Sequence, residues 1–200
     1  MRYMDAYEFY WRDPTKGYEP IGVLPERRKN PARRTQESVI NLARGLLGHS
    51  VDVNRIFFIK ATKDENTGKI LRLDSVYRQL KEYIEDRRRH PRISMDLPLE
   101  YRMKHDPRAQ GAILIDASEG GFLIYSIGDI PMGTKLKIAI LFPKEYELAI
   151  FEVFAETIRK EFAVEQRGLY QEGYQYGLKI IDILGEDYWK LRGLLSARFK

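Results

Sequence analysis

From Arg92 onward the chain breaks into short stretches where apolar and polar residues alternate or bunch, separated by glycine, proline and charged pairs. That period of two predicts strands. "ISMDLPLEYRM" alternates, "GAILID" is a compact apolar run and "GFLIYSI" follows a Gly-Gly turn. "KLKIAILF", "LAIFEVFAETIRK" and "YQYGLKIIDI" bring the count to about six strands, spaced as in a small antiparallel barrel. In the closing "EDYWKLRGLLSARF" the period changes, and Tyr188, Leu191, Leu194, Leu195 and Arg198 share one helical face. An amphipathic helix lying across the barrel is the expectation.

The N-terminal part follows different patterns. Val39, Ile40, Ala43, Leu46 and Leu47 fall on one helical face, with Thr35 placed to cap the start and Gly48 to end it. "RIFFIKAT" and "KILRL" flank "KDENTG", whose Asn66 and Gly68 suit a hairpin turn. From Asp74, a candidate N-cap, Val76, Tyr77, Leu80, Tyr83 and Ile84 predict a second helix. The first thirty-odd residues, aromatic and interrupted by Pro14, Pro20 and Pro25, read as an irregular arm. The fold class expected is α+β, mainly β. It comprises a smaller α/β domain over residues 1–85, then a six-stranded antiparallel barrel with a C-terminal helix over 86–200, the boundary lying near Asp86.

Composition narrows the chemistry. The 200 residues, 44% of them hydrophobic, suffice for a substantial core. With no cysteine there is neither a disulfide framework nor a thiolate metal site, and His49, His90 and His105 lie far apart without ligand spacing. No metal and no catalytic cofactor is expected. The N-terminus lacks the pattern of a secretory leader and no apolar run approaches the roughly 20 residues of a membrane helix. The expectation is a soluble, cytoplasmic chain with no membrane insertion.

The net charge of +5 conceals clustering. Arg27, Arg28, Lys29, Arg33 and Arg34 form one basic knot; "DRRRHPR", Asp86 to Arg92, forms another exactly where the predicted helix gives way to the first barrel strand. Such clusters attract phosphates, although an arbitrary arginine run is more often solvated surface. A second feature, "DASEGG" from Asp116 to Gly121, is ordinary turn chemistry when taken alone.

Taken together, Arg88 and Arg92 at the spacing RxxxR, followed by Asp116, Ser118 and Gly121 at DxSxxG, resemble the two-part signature of PilZ domains. "YGLKIID" and "FAETIRK" are similar to late strands of that family, so the resemblance covers residues 86–200. It implies a six-stranded barrel that binds the bacterial second messenger cyclic di-GMP. Arg88, Arg92, Asp116, Ser118, Gly120 and Gly121 would form the site. Arg87 precedes the signature, and the resemblance implies that an arginine there accompanies a stacked ligand dimer in place of a single molecule. The ligand carries two phosphates and two guanines. Arginine's planar fork suits phosphate oxygens or guanine O6 and N7, and a carboxylate accepts from guanine N1 and N2. No nucleophile or general base is required.

The resemblance also implies that ordering the arginine segment over the ligand reorients residues 1–85, which would then act on a protein partner. Homodimerisation stays open, as does the output pathway. A triad of Ser118, His105 and Asp106 is disfavoured because "DASEG" is not G-x-S-x-G and His105 lies in a polar loop. Nucleic-acid binding is the stronger rival, since basic and aromatic residues interleave, but 29 acidic residues against 34 basic ones leave no face evidently positive. A barrel that binds no nucleotide and serves as an interaction scaffold is the third reading.

Overall fold

A computed structural model describes residues 3–28, 35–47, 52–72, 92–144, 147–162 and 173–197. The predicted helix after Asp74 and the arginines Arg87 to Arg89 lie outside the described residues. So do Lys29, Arg33 and Arg34 of the first basic knot.

The strands of the described residues form two sheets. The first holds β1 (Tyr3–Asp13), β2 (Gly17–Pro25), β3 (Ile56–Asp64) and β4 (Ile70–Leu71) in the order β2-β1-β3-β4, with α1 (Gln36–Leu47) against it. The second holds β5 (Ile93–Met103), β6 (Asp106–Ser118), β7 (Gly121–Ser126), β8 (Lys135–Lys144), β9 (Glu147–Phe162) and β10 (Tyr174–Ile183). Every pairing in it is antiparallel, and β10 bonds to both β7 and β9, so the order β10-β7-β6-β5-β8-β9 closes on itself. Then α2 (Gly185–Ala197) follows. All six strands of the second sheet and α2 lie where the apolar periodicity puts them.

The expectation of an irregular N-terminal arm is wrong over the described residues: Tyr3–Asp13 and Gly17–Pro25 are strands β1 and β2. Aromatic residues hide the alternation because both faces of β1 are covered. Tyr7 and Phe9 face α1, joining Val39, Ala43 and Phe58, while Tyr10 turns to the other side and stacks on Phe57 at 5.1 Å between ring centroids. The prolines are also accommodated. Pro20 sits at a bulge opposite Tyr10, and Pro20 and Pro25 lie on an edge strand, where a missing N–H costs least. Asp13 closes the β1–β2 turn by accepting from the backbone N–H of Thr15 and Lys16 at 2.7 and 2.8 Å.

Thr35 does cap α1, its Oγ1 accepting from the Ser38 N–H at 3.2 Å. The β3–β4 hairpin also forms as expected. Asp64 Oδ1 accepts from the Asn66 N–H at 2.8 Å, and Gly68 takes φ of 71°, a left-handed conformation that glycine adopts without steric cost.

The two sheets share a core. Tyr10, Tyr18, Phe57 and Ile59 of the first pack on Ile113, Ile115, Tyr125, Ala139 and Leu141 on the outside of the second. At Gly111 the backbones meet: a Cβ added there would lie 1.9 Å from the Phe58 carbonyl oxygen. Inside the ring Leu99, Tyr101, Leu114, Phe122, Ile138, Phe151 and Leu178 form a separate core. Leu191 and Leu195 of α2 close one end of it.

Candidate functional site

The register of β5 against β6 assembles the site. Ile93 and Ser94 face Ala117 and Asp116, so Arg92, immediately before β5, reaches the end of β6. Arg92 Nη1 donates to Asp116 Oδ1 at 2.6 Å. Asp116 is only 1% exposed, and the guanidinium that pairs with it is about one-fifth exposed, so the buried carboxylate has a charged partner at the rim. A register shift on β6 against β7 falls between Leu114 and Asp116. A bulge of this kind re-aims a side chain, here at the point where the strand approaches its turn.

The turn that follows is held from within. The Ser118 hydroxyl donates to the Gly121 carbonyl at 3.2 Å, and Ser118 is buried. A Cβ on Gly121 would come within 2.2 Å of the Leu178 carbonyl oxygen, so a side chain there would push β7 away from β10. The Gly120 carbonyl accepts from the Ile180 N–H at 3.2 Å, while Gly120 itself is exposed. Ser118 thus closes the β6–β7 turn from within, and Gly121 lets that turn lie close against β10.

Of the residues the sequence singles out, Arg92, Asp116, Ser118, Gly120 and Gly121 lie together at this end of the ring. Arg87 and Arg88 lie outside the described residues. His105 is in the turn before β6, and residue 106 opens that strand, whereas Ser118 closes it, so chain direction holds the triad members apart.

Two participants escaped the sequence reading. Glu119, within the signature turn, pairs with Arg192 of α2 at 3.3 Å. The available signal was Arg192 three and four residues after Trp189 and Tyr188, an arrangement that stacks a guanidinium on aromatic rings. The other is Arg72, at the start of the segment leading to the arginine run. It holds Glu8 of β1 with two hydrogen bonds of 2.6 and 2.8 Å, approaches Tyr10 Oη at 3.1 Å, and donates to the Asp96 carbonyl of β5 at 3.3 Å. Nothing in the sequence distinguishes it from other lone arginines. Among the described residues no cluster of three His, Cys, Asp or Glu side chains could hold a metal, and no helix is long and apolar enough to cross a membrane.

No curated protein matches the chain. Among solved structures, it is similar to the PilZ domain of YcgR from Escherichia coli with c-di-GMP, at 15% identity and a TM-score of 0.44, over 56% of this chain and 91% of that one. It is also similar to the inhibitor of motility MotI/DgrA of Bacillus subtilis, at 12% identity and a TM-score of 0.45, over 99% and 97% of the two chains. A third is full YcgR of E. coli in complex with c-di-GMP, at 11% identity and a TM-score of 0.43, over 97% and 83%. The PilZ domain profile matches residues 86–197, more than half the chain and the whole of the closed sheet with α2. The chain therefore belongs to the PilZ domain family.

Proposed function

We propose that this protein is a non-enzymatic receptor for cyclic di-GMP. Its ligand would be held at the end of the ring where β5 begins and β6 ends, by Arg87, Arg88 and Arg92 together with Asp116, Ser118, Gly120 and Gly121. The observation that carries the reading is the 2.6 Å pair of Arg92 and Asp116, which joins the two halves of the signature at one place in a chain of this family. The arginines offer forked donors for the phosphates and the guanine Hoogsteen edges. The aspartate is suited both to aim Arg92 and to accept from guanine N1 and N2.

Binding at this point would act on the N-terminal sheet through the intervening segment. Its two described ends are pinned, Arg72 to Glu8 and to the Asp96 carbonyl, and Arg92 to Asp116. A ligand that draws the arginine run over itself pulls on both anchors. The reorientation of residues 1–85 that we propose is a pivot within the apolar seam, because separating the sheets would expose Tyr10, Phe57 and Ile113 to water. The N-terminal sheet would present the altered surface to a protein partner.

Calorimetric titration of the whole chain tests this. Cyclic di-GMP binds, GTP and GMP do not, and Arg88→Ala and Asp116→Ala each weaken binding by at least about tenfold, or ~1.4 kcal/mol. A stoichiometry of two ligands per chain assigns Arg87 to a stacked dimer, and one ligand per chain removes that role. Absence of heat from folded protein would overturn the receptor reading in favour of a scaffold or nucleic-acid binder.

A further inference from the structure

The helix that closes the ring also has an outward side, and that side leans over the signature turn. Leu191 and Leu195 point into the core, whereas Trp189 is 66% exposed. The Arg192 guanidinium carbon lies 5.6 Å from the Trp189 ring centroid and 5.9 Å from that of Tyr188. The two rings are themselves in edge contact at 5.9 Å. So held, Arg192 Nε reaches Glu119 Oε1 at 3.3 Å. Of the two carboxylates in "DASEGG", Asp116 is buried with Arg92, and Glu119 is the one that faces solvent.

An exposed carboxylate in that turn opposes an anionic ligand. Water and salt weaken its repulsion, and a counter-charge alongside it cancels most of what remains. Both Glu119 and Arg192 are more than one-third exposed, so their pairing adds little to folding. What the pair changes is the potential at the turn. Cation–π attraction helps to place the cation: the guanidinium lies within 6 Å of both ring centroids and still presents an N–H edge to the carboxylate, which an ammonium on a flexible stem does less well.

Building on the receptor reading above, we propose that Arg192 is a positioning residue of the ligand site, neutralising Glu119 so that the turn presents no net negative charge to the ligand's phosphates. The terminal helix thereby sets part of the affinity, in addition to capping the core.

The test is a titration of cyclic di-GMP into the full chain and its variants at two salt concentrations. Arg192→Gln weakens binding about three- to tenfold at roughly 50 mM salt, and the gap narrows towards about 0.5 M. Arg192→Lys recovers part of the loss. Glu119→Gln/Arg192→Gln returns to near wild-type affinity, because the charge that needed neutralising is gone. Thermal unfolding is nearly unchanged throughout, which separates this effect from a loss of structure. Equal affinity of Arg192→Gln and wild type would overturn the proposal while leaving the receptor reading intact. A double variant as weak as Arg192→Gln would also overturn it, making Arg192 a direct ligand contact. If the wild-type chain does not bind, the receptor reading itself fails, and that is seen before any variant is examined.

Discussion

Under the N-terminal sheet the ring presents Ile113, Ile115, Tyr125 and Leu141 to Tyr10, Tyr18, Phe57 and Ile59; at its signature end it presents Arg92 to Asp116 and Glu119 to Arg192. The first contact is apolar and broad, the second a set of point charges on strand ends, a turn and a helix. Apolar burial scales with area and is indifferent to partner orientation, so it resists small rearrangements poorly but separation strongly. The Glu119–Arg192 pair, more than one-third exposed on both sides, costs little to exchange for another ion, whereas the buried Asp116 can give up Arg92 only where a ligand donor takes its place. The difference suggests a division of labour. In the receptor we propose, a ligand that supplies replacement partners would reorganise the rim, while the apolar seam would hold the two sheets together and confine the response to a pivot.

The largest effect is expected from wedging the seam open. Gly111→Val puts a branched side chain where even a Cβ would meet the Phe58 carbonyl at 1.9 Å. We expect a loss of about 3 kcal/mol or more in unfolding free energy. Urea titrations of Trp189→Phe, which keeps Trp11, and of Trp11→Phe, which keeps Trp189, report the first sheet and α2 respectively. In the wild-type background the two transitions coincide, and Gly111→Val moves both to lower urea. Two well-separated transitions would show that the seam does not unite the sheets thermodynamically.

A smaller effect is expected from the anchor that ties seam to rim. Arg72→Met removes the bonds to Glu8, Tyr10 and the Asp96 carbonyl while keeping an apolar stem of similar reach. It should cost about 1–3 kcal/mol, since Glu8 is largely buried and loses its cation. The sharper readout is hydrogen exchange in β1 with and without cyclic di-GMP. In wild type the ligand changes exchange in β1; in Arg72→Met that change is lost while affinity moves less than about threefold. Persistence of the β1 response in the variant would remove Arg72 from the coupling route.

How legible these regions were in the sequence follows the same physical divide. Strands with one face in the ring and one outside alternate visibly, as in "ISMDLPLEYRM", and α2 shows its Leu191 and Leu195 at helical spacing. Strand β1 did not show, because α1 covers Tyr7 and Phe9 while the second sheet covers Tyr10, so the polar half of the alternation is missing. At the rim, Arg92, Asp116, Ser118 and Gly121 were recognisable as a spaced motif. Their contacts were not. That Gly121 serves the approach to Leu178, or that Glu119 meets Arg192 from a helix far along the chain, depends on ring closure between β7 and β10, which no local pattern encodes.

The smallest effect is expected at the edge of the first sheet, where a charge pair with one buried member joins β2 to α1. Glu26, at the end of β2, has a side chain only 1% exposed and accepts from Arg28 Nη2 at 2.5 Å and from the Arg28 N–H at 2.7 Å. Arg28 Nη1 in turn donates to Ser38 Oγ of α1 at 2.7 Å, so the pair fastens the helix to the sheet edge. The hydrogen bonds from Arg28 hold the Glu26 carboxyl below its ordinary range, outweighing burial, which acts in the opposite direction. A folded-state value depressed in this way adds stability that is complete above the unfolded carboxyl's pKa, near 4.3, and is lost as pH falls through the folded value. Glu26→Gln should therefore be less stable than wild type by about 1 kcal/mol at pH 7, an advantage that stays level down to about pH 5 and shrinks below about pH 4. Urea unfolding of both proteins at pH 7, 5 and 3.5 measures it. A gap that is constant across all three would show that the carboxylate's charge contributes nothing, leaving the hydrogen-bonded shape of the side chain as what matters at that edge.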